Sequence, residues 1–378
     1  MSIDRLIDQS HVVVCCGTGG VGKTTTSAVL ALAAARRGRN AVVVTIDPAK
    51  RLADTLGLEE LGDTAREIAR DRWDPSGIAP PAGRLSALML DTRATFDGLV
   101  HKHAESPEQA ERILANRFYR NIAGALSGTQ EYMAMEKLHE LHDEGGFDII
   151  VVDTPPTRHA LDFLDAPARL TRLLDNRIFR LLMVPSRRSL RLASLAVQTF
   201  LRTVAKVIGS EVIDDIVAFF RAFEGMEQGF RERAVNVLEL LAAPTTAFVL
   251  VTSPRRDAVG EAEFFAERLR ESELSVDALI VNRVHPDFGV QSTPFELRAR
   301  AVEISVAGKS GDGSEASARL ALRYENLADY VSLAQHERDE LARAGDRIGA
   351  GVVTFVPSLA HDVFDIAALD AVGRHLVG

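Results

Sequence analysis

The sequence predicts an α/β fold in which helices flank a mostly parallel sheet, with an additional helical subdomain inserted. Short β-branched apolar runs recur along the chain and alternate with helical stretches, the pattern of buried parallel strands joined by crossover helices. A long, almost wholly helical stretch at 162–241 interrupts this alternation. Together with the helical stretch at 92–144, it predicts a helical subdomain within one domain that spans 1–378.

Length and composition are those of a large globular domain. Of the 378 residues, 46% are hydrophobic and 26% are charged, and the formal net charge of −9 gives no support for a nucleic-acid partner. No run reaches the roughly 20 apolar residues of a spanning helix, and residues 1–10 lack the apolar core of a secretory signal. The two cysteines, Cys15 and Cys16, are adjacent and therefore point to opposite faces of a strand. We expect small buried thiols in a reducing compartment, and a cytoplasmic location.

The strongest motif follows the first predicted strand, 12–16. Four residues separate Gly17 from Gly22-Lys23-Thr24, the GxxxxGK[ST] spacing of a phosphate loop between a strand and a helix. Glycines let the backbone wrap a phosphate, and N–H groups at the helix N-terminus point at its oxygens. Lys23 adds a positive charge at the β- and γ-phosphates, and Thr24 offers a hydroxyl to Mg²⁺. The motif predicts a P-loop NTPase, because a chance glycine turn does not account for the complete strand–loop–helix context.

Two further strands end in aspartates at one edge of the sheet. The run 41–46 is followed by Asp47, and the run 149–152 is followed by Asp153. The carboxyl ends of parallel strands form the ligand-binding edge of open α/β sheets. An aspartate that ends an apolar strand opposite a phosphate loop has the Walker B form and supports Mg²⁺. Asp153 also opens the proline-containing run 153–161, where we expect a loop that senses the γ-phosphate.

The rest of the chain predicts the flanking elements. Short helix and loop are expected at 51–83, and a mobile loop is expected at 308–318. Gly308-Lys309-Ser310 within that loop is not a second phosphate loop, because both the first glycine and a preceding strand are missing. Further strands are predicted at 85–90, 247–252, 279–283 and 352–357, and further helices at 257–271 and about 320–344.

Two amphipathic stripes mark the helical stretch at 162–241. The first consists of Val197, Phe200, Leu201, Val204 and Ile208. The second consists of Ile213, Ile216, Val217, Phe220 and Phe223, with Met226 nearby. Such stripes usually pack on each other as a core, although they also form grooves that receive an apolar client segment. The sequence favours the packed core and leaves the groove open.

Two histidine pairs have spacings that invite a metal interpretation. They are His101 with His103 and His139 with His142. No cysteine or carboxylate pattern completes a ligand set around either pair. We therefore expect solvated histidines on helix surfaces.

These motifs together resemble the ArsA-like ATPases, a family that includes the arsenite-pump ATPase and the targeting factor for tail-anchored membrane proteins. The runs 45–49 and 153–159, the latter continuing to Pro167, resemble its switch I and switch II. The runs 281–283 and 355–357 are similar to its adenine-recognition strand and to the loop that covers the adenine. The loop that resembles its deviant Walker A consists of Gly17, Thr18, Gly19, Gly20, Val21, Gly22, Lys23, Thr24 and Thr25.

The resemblance implies a Mg²⁺-dependent hydrolase that converts ATP to ADP and phosphate. Carried over, Asp47 orients the attacking water, Lys23 and the loop hold the phosphates, and Asn282 contacts the base. Pro357 lies in the loop over the adenine, and Thr24 and Asp153 serve the metal ion. Family members are dimers with nucleotides at the interface, and ATP closes the dimer to reshape a helical client surface. Expected partners are therefore a homo- or heterodimeric related ATPase, and an apolar client segment or membrane-associated partner.

The chain departs from the family pattern at functionally important positions. Thr18 replaces the lysine that reaches the partner's phosphates, and Arg158 replaces a glycine of switch II. The cysteines that bind a dimer-bridging zinc, and those that would bind arsenite, are missing. Two interpretations follow: an active ATPase, or a weakly hydrolysing nucleotide-binding subunit of a heterodimer with an active partner. In the first, the guanidinium of Arg158 supplies the charge that Thr18 lacks.

Overall fold

An eight-stranded sheet organises the molecule. The computed structural model describes residues 2–47, 51–78, 80, 82–122, 129–155, 166, 172, 210–308 and 314–377. The strands are β1 Val12–Gly17, β2 Asn40–Thr45, β3 Arg66–Glu67, β4 Arg84–Met89, β5 Ile149–Asp153, β6 Thr246–Thr252, β7 Ala278–Val284 and β8 Val352–Pro357. Their order across the sheet is β3-β4-β2-β5-β1-β6-β7-β8. All neighbours pair in parallel except β3 with β4, so the predicted α/β fold is confirmed.

Helices cover both faces of this sheet. Those in the first half of the chain are α1 Ile3–Gln9, α2 Lys23–Arg36, α3 Arg51–Leu56, α4 Arg70–Trp73, α5 Thr92–His103, α6 Pro107–Ala115, α7 Arg117–Ile122 and α8 Thr129–Asp143. Those in the second half are α9 Ser210–Ala222, α10 Glu227–Ala242, α11 Arg256–Glu271, α12 Pro294–Gly308, α13 Ser314–Ile348 and α14 Ile366–Leu376. The boundaries of the helical subdomain, 92–144 and 162–241, stay a prediction.

The two faces of the sheet bury different kinds of side chain. On one face, α2 packs closely through fully buried alanines such as Ala28, Ala31 and Ala34. On the other face, larger side chains from α5–α10 fill the space above the sheet. Successive side chains of β1 point to opposite faces of the sheet. Cys15 lies on the face that α2 covers, and Cys16 lies on the other face. Both cysteines are buried and unpaired, as the sequence predicted.

Several elements differ from the sequence prediction. The helices α1, α12 and α14 and the short strand β3 were not predicted. The expected loop at 308–318 is too long, because α12 continues to Gly308 and α13 already begins at Ser314. The glycines and serines there suggested a loop, but Glu315, Ala316 and Ala318 favour helix, and α13 packs on α12 through Leu297 and Val331.

The described part of the second stripe packs into the core. Phe219 and Phe223 on α9 are buried, and the Phe219 ring lies 5.6 Å from that of Phe118 on α7. The predicted members Phe220 and Met226 also pack against this core, Phe220 half-buried and Met226 buried, whereas the buried Phe219 was not predicted. The packing of Phe219 and Phe223 supports the core interpretation of this stripe. The first stripe, 197–208, lies outside the described residues.

The prediction of solvated histidines is wrong for His139. Its side chain is only 7% exposed, and its Nδ1 lies 2.9 Å from Oδ2 of Asp143. The histidine sits on the face of α8 that packs against α10, which amphipathic spacing alone did not reveal. His103 is also half-buried, with its ring 5.4 Å from that of Phe230.

Candidate active site

The predicted phosphate loop, 17–22, joins β1 to α2 at the carboxyl edge of the sheet. Neighbouring atoms leave no room for a side chain at Gly17 or Gly22. A Cβ atom on Gly17 would lie 2.1 Å from the carbonyl oxygen of Val251, and one on Gly22 would lie 2.2 Å from Nδ2 of Asn282. Gly22, with φ 98°, is the N-cap of α2 and provides no side-chain acceptor for the first amides of the helix. These amides are therefore available to an anion.

Lys23 bends back over the phosphate loop. Its side chain is nearly buried, and Nζ donates a hydrogen bond of 2.9 Å to the carbonyl oxygen of Thr18. Burial lowers the pKa of Lys23, while the carboxylates of Asp153 and Asp47 act in the opposite direction. The ammonium group thus sits over the space that the loop encloses, held by an acceptor that a phosphate oxygen can replace.

Asp153 ends β5 beside this loop and is only 1% exposed. Its Oδ2 accepts hydrogen bonds from the hydroxyls of Thr24, at 2.7 Å, and Thr45, at 3.1 Å. Its Oδ1 is buried and has no hydrogen-bond partner in the described part of the chain. Burial raises the pKa of Asp153 to about 6, although the hydrogen bond from Thr24 and the charge of Lys23 each lower it.

The surroundings of Asp153 fit a magnesium ion. Mg²⁺ prefers carboxylate, hydroxyl and phosphate oxygens, and the carboxylate of Asp153 lies against the hydroxyl of Thr24. A cation nearby would compensate both the unpartnered Oδ1 and the buried negative charge. The sequence assigned Thr24 and Asp153 to the metal ion but missed Thr45. The polar residue at the end of the apolar strand β2 was the available signal.

A single cavity of about 610 Å³ connects most of the predicted site residues. A cavity of this size is typical of small-ligand and cofactor sites. The predicted residues that line it are Gly19, Gly20, Gly22, Lys23, Thr24, Thr25, Asp47, Asp153, Asn282 and Pro357. Thr18 and Val21 line a second cavity of about 350 Å³, which shares Gly19, Gly20 and Arg283 with the first. Gly17 is the last residue of β1.

Asp47 and Asn282 approach the loop from two different strands. Asp47 follows β2, is half-buried, and its backbone N–H donates to Oγ1 of Thr45 at 3.3 Å. Asn282 lies on β7, and its Nδ2 donates a hydrogen bond of 2.8 Å to the carbonyl oxygen of Val21. The amide therefore anchors the phosphate loop, a contact that the sequence did not indicate. Its contact with a base stays a prediction.

Sequence reasoning gave no role to several residues that line the main cavity. They are Arg51, Asp54 and Thr55 on α3, Arg283 on β7, and His361, Asp362 and Phe364 in the segment after β8. Most lie outside recognisable motifs, and the sheet and its crossovers bring them together. Residues 156–165 and 167 of the predicted switch II, which include Arg158, lie outside the described residues.

No helix in the described part of the chain has the length and apolarity needed to cross a membrane. Across the same residues, no group of three or more His, Cys, Asp and Glu side chains is arranged to hold a metal ion.

Comparisons with known proteins agree with this geometry. Residues 10–306 match the family model described as anion-transporting ATPase. ATPase GET3 from Phaeosphaeria nodorum is 26% identical over 299 residues, which are 78% of this chain and 83% of that protein. ATPase get3 from Pyrenophora tritici-repentis is 25% identical over 78% of this chain and 80% of its own length. ATPase GET3 from Malassezia globosa is 30% identical over 46% of this chain and 48% of its own length. Because the family model covers most of the chain, this protein belongs to the anion-transporting (ArsA) family of P-loop ATP hydrolases.

Proposed function

We propose that this chain is a Mg²⁺-dependent ATPase that couples ATP binding and hydrolysis to rearrangement of a dimer. The rearrangement serves a client, which is an apolar segment or a membrane-associated partner. One observation carries the chemical part of the proposal. The buried Asp153, with an unpartnered Oδ1, lies against Thr24 at the start of the helix whose amides face the phosphate loop. The two free, buried cysteines are compatible with action in the cytoplasm.

Each residue has a distinct task in this proposal. Lys23 exchanges its hydrogen bond to Thr18 for one to a phosphate oxygen, and the first amides of α2 hold the same group. Thr24 and Asp153 hold the magnesium ion, which neutralises charge on the phosphates when bound. Asp47 lines the same cavity and orients a water molecule toward the terminal phosphate, accepting its proton.

The experiment separates binding from hydrolysis by comparing Lys23→Ala with Asp47→Asn. Lys23→Ala removes a charge-assisted hydrogen bond to phosphate, worth about 3 kcal/mol, and ATP affinity should fall about 100-fold. Asp47→Asn should bind ATP with near wild-type affinity and lose hydrolysis, because its side chain acts on water. Calorimetry gives the affinities and phosphate release gives the rates.

Asp54→Asn is the matched control for Asp47→Asn. Asp54 lines the same cavity but is an exposed residue of α3, so the rate of hydrolysis should stay near that of the wild type. If Asp47→Asn lost ATP affinity as severely as Lys23→Ala, the role of Asp47 would be wrong. If Asp54→Asn lost hydrolysis instead, the water-orienting carboxylate would be on α3.

The alternative is a weakly hydrolysing subunit that works in a heterodimer with an active partner ATPase. Thr18 motivates this alternative, because its side chain carries no charge and its carbonyl oxygen is the acceptor for Lys23. A cation supplied across a dimer to the transferred phosphoryl group can be worth on the order of 10³–10⁵ in rate.

Turnover of the isolated chain tests the alternative. A heterodimer subunit should turn over slowly alone and faster as Thr18→Lys or after addition of a related ATPase that retains the lysine. Fast turnover of the chain alone that disappears in Arg158→Ala contradicts the heterodimer. That result assigns the charge to Arg158 in the same chain.

A further inference from the structure

Arg283 has a backbone conformation that side chains rarely adopt. Its φ is +63°, in the left-handed region, and Glu273 is the only other described residue besides glycines with a positive φ. For a residue with a bulky side chain this conformation costs free energy. Such strain persists only where the surrounding structure imposes it, and it concentrates at functional sites.

An irregularity in the pairing of β7 with β8 imposes this conformation. Asn282 pairs with Val356 and Val284 pairs with Pro357, so Arg283 is the extra residue between two regular pairs. A bulge of this kind redirects the side chain of the extra residue. The neighbours on both sides are held in place, Asn282 by its hydrogen bond to Val21 and Val284 by the N–H of Ser358.

The redirected side chain lies beside the main cavity. Arg283 lines both that cavity and the smaller one next to Thr18, and it is exposed. In the described part of the chain, its guanidinium makes no hydrogen bond or ion pair. Burial by a ligand would therefore not require an existing contact of the guanidinium to break.

The main cavity is lined by two kinds of group. Lys23, Thr24 and the first amides of α2 suit phosphates. Arg283 lies between the pairs Asn282–Val356 and Val284–Pro357, so it is next to the segment 356–364, which lines the same cavity and includes Pro357 and Phe364. A guanidinium is planar and stacks on flat rings, so Arg283 beside this segment suits the base of a nucleotide.

We propose that the guanidinium of Arg283 stacks on the base of the bound nucleotide and sets affinity for the nucleoside half of ATP. This inference rests on the proposed function, since it places ATP in the main cavity. The strained backbone is then the conformational cost of directing the side chain toward the ligand.

The test compares ATP with inorganic tripolyphosphate, which has the phosphates but no base. In Arg283→Gly, calorimetry should show ATP affinity on the order of tenfold weaker and tripolyphosphate affinity unchanged. Arg283→Lys keeps the charge but not the planar group, so its affinity for ATP should also fall. The melting temperature of Arg283→Gly should equal or exceed that of the wild type, because glycine adopts φ +63° without strain.

Glu273→Gly is the matched control. Glu273 has φ +60° in the exposed turn after α11 and lines neither cavity, so this change relieves a similar strain outside the site and should leave ATP affinity unchanged. Equal ATP affinity of Arg283→Gly and the wild type would overturn the inference alone. So would a parallel loss of tripolyphosphate affinity, or full rescue by Arg283→Lys, because either result indicates a phosphate contact. A wild-type chain that binds no ATP would instead overturn the proposed function itself.

Discussion

Two carboxylates, Asp153 and Glu136, are buried to the same degree but differ in how well they are partnered. Each is 1% exposed. Glu136 on α8 accepts hydrogen bonds from the hydroxyl of Tyr132 and, at 2.8 Å, from Nε of Arg233 on α10. Among the described residues, Asp153 has only hydroxyl donors and one oxygen without a partner, and the ammonium of the nearby Lys23 donates to Thr18 instead.

This difference separates a structural carboxylate from one that is ready for a ligand. A buried charge is costly unless it is paired, and Glu136 meets that requirement within the protein. Asp153 does not, and the cost is visible as a pKa raised by burial to about 6. A buried carboxylate that lacks a positively charged partner at the carboxyl edge of a parallel sheet indicates a binding site for a cation.

The contacts of Arg233 extend the structural cluster. Arg233 also lies 3.5 Å from Oδ2 of Asp143, which in turn lies 2.9 Å from Nδ1 of His139. Glu136, His139 and Asp143 follow one another on α8 at spacings of three and four residues, so they share one helix face. The cluster therefore joins α8 to α10 through side chains alone.

The largest expected effect is the loss of stability when Glu136 is left unpaired. Arg233→Met should lower the free energy of unfolding by about 3–5 kcal/mol, because a buried carboxylate then has no cation. Urea denaturation gives this value. The affinity of the remaining folded protein for ATP should not change, since Arg233 lies in the helical layer and not at the phosphate loop.

The double variant Glu136→Gln with Arg233→Met is the control. With the negative charge removed as well, most of the lost stability should return. If the double variant were as unstable as Arg233→Met, loss of arginine packing rather than an unpaired charge would explain the result.

A smaller effect of opposite sign is expected at the other carboxylate. In the absence of Mg²⁺ at pH 7, Asp153→Asn should raise the free energy of unfolding by up to about 3 kcal/mol, the equivalent of a pKa raised from 3.8 to about 6. The same variant should lose Mg²⁺-dependent hydrolysis. An Asp153→Asn protein less stable than the wild type without Mg²⁺ would show that the charge is already compensated.

The smallest expected effect is a difference in pH dependence. Burial, followed by the charge of Arg233, lowers the pKa of His139, so the unfolded chain takes up a proton that the folded protein resists. Stability should therefore fall as the pH drops below about 6.5, and His139→Gln should reduce this fall, with His103 accounting for part of the remainder.

Asp153 acts in the opposite direction. Its raised pKa means that the folded protein binds the proton more tightly than the unfolded chain, so stability without Mg²⁺ should fall as the pH rises from 3.8 through about 6. Urea denaturation of the wild type, His139→Gln and Asp153→Asn between pH 4 and pH 8 measures both slopes. Identical slopes in all three proteins would contradict the assignment of these groups.

Local patterns by themselves determined the sheet, the phosphate loop and the two aspartates that end strands. A buried parallel strand is a contiguous apolar run, and a loop that wraps a phosphate needs glycines at fixed spacing. Both features can therefore be predicted from a short stretch of sequence. Asp47, Asp153 and the phosphate loop therefore lie at one edge of the sheet as the sequence predicted. The same local patterns wrongly placed His139 in solvent and missed the buried Phe219 on α9.

Only the tertiary structure decided which polar side chains meet. Thr45 contacts Asp153 across 108 residues, Arg233 contacts Glu136 across 97, and Asn282 contacts Val21 across 261. No periodicity in the sequence encodes these pairs, because each depends on the order of strands and the packing of helices. The positive φ of Arg283 likewise arises from the shift in register between β7 and β8. Local sequence determines which elements form, whereas the partner of a buried charge depends on how those elements pack.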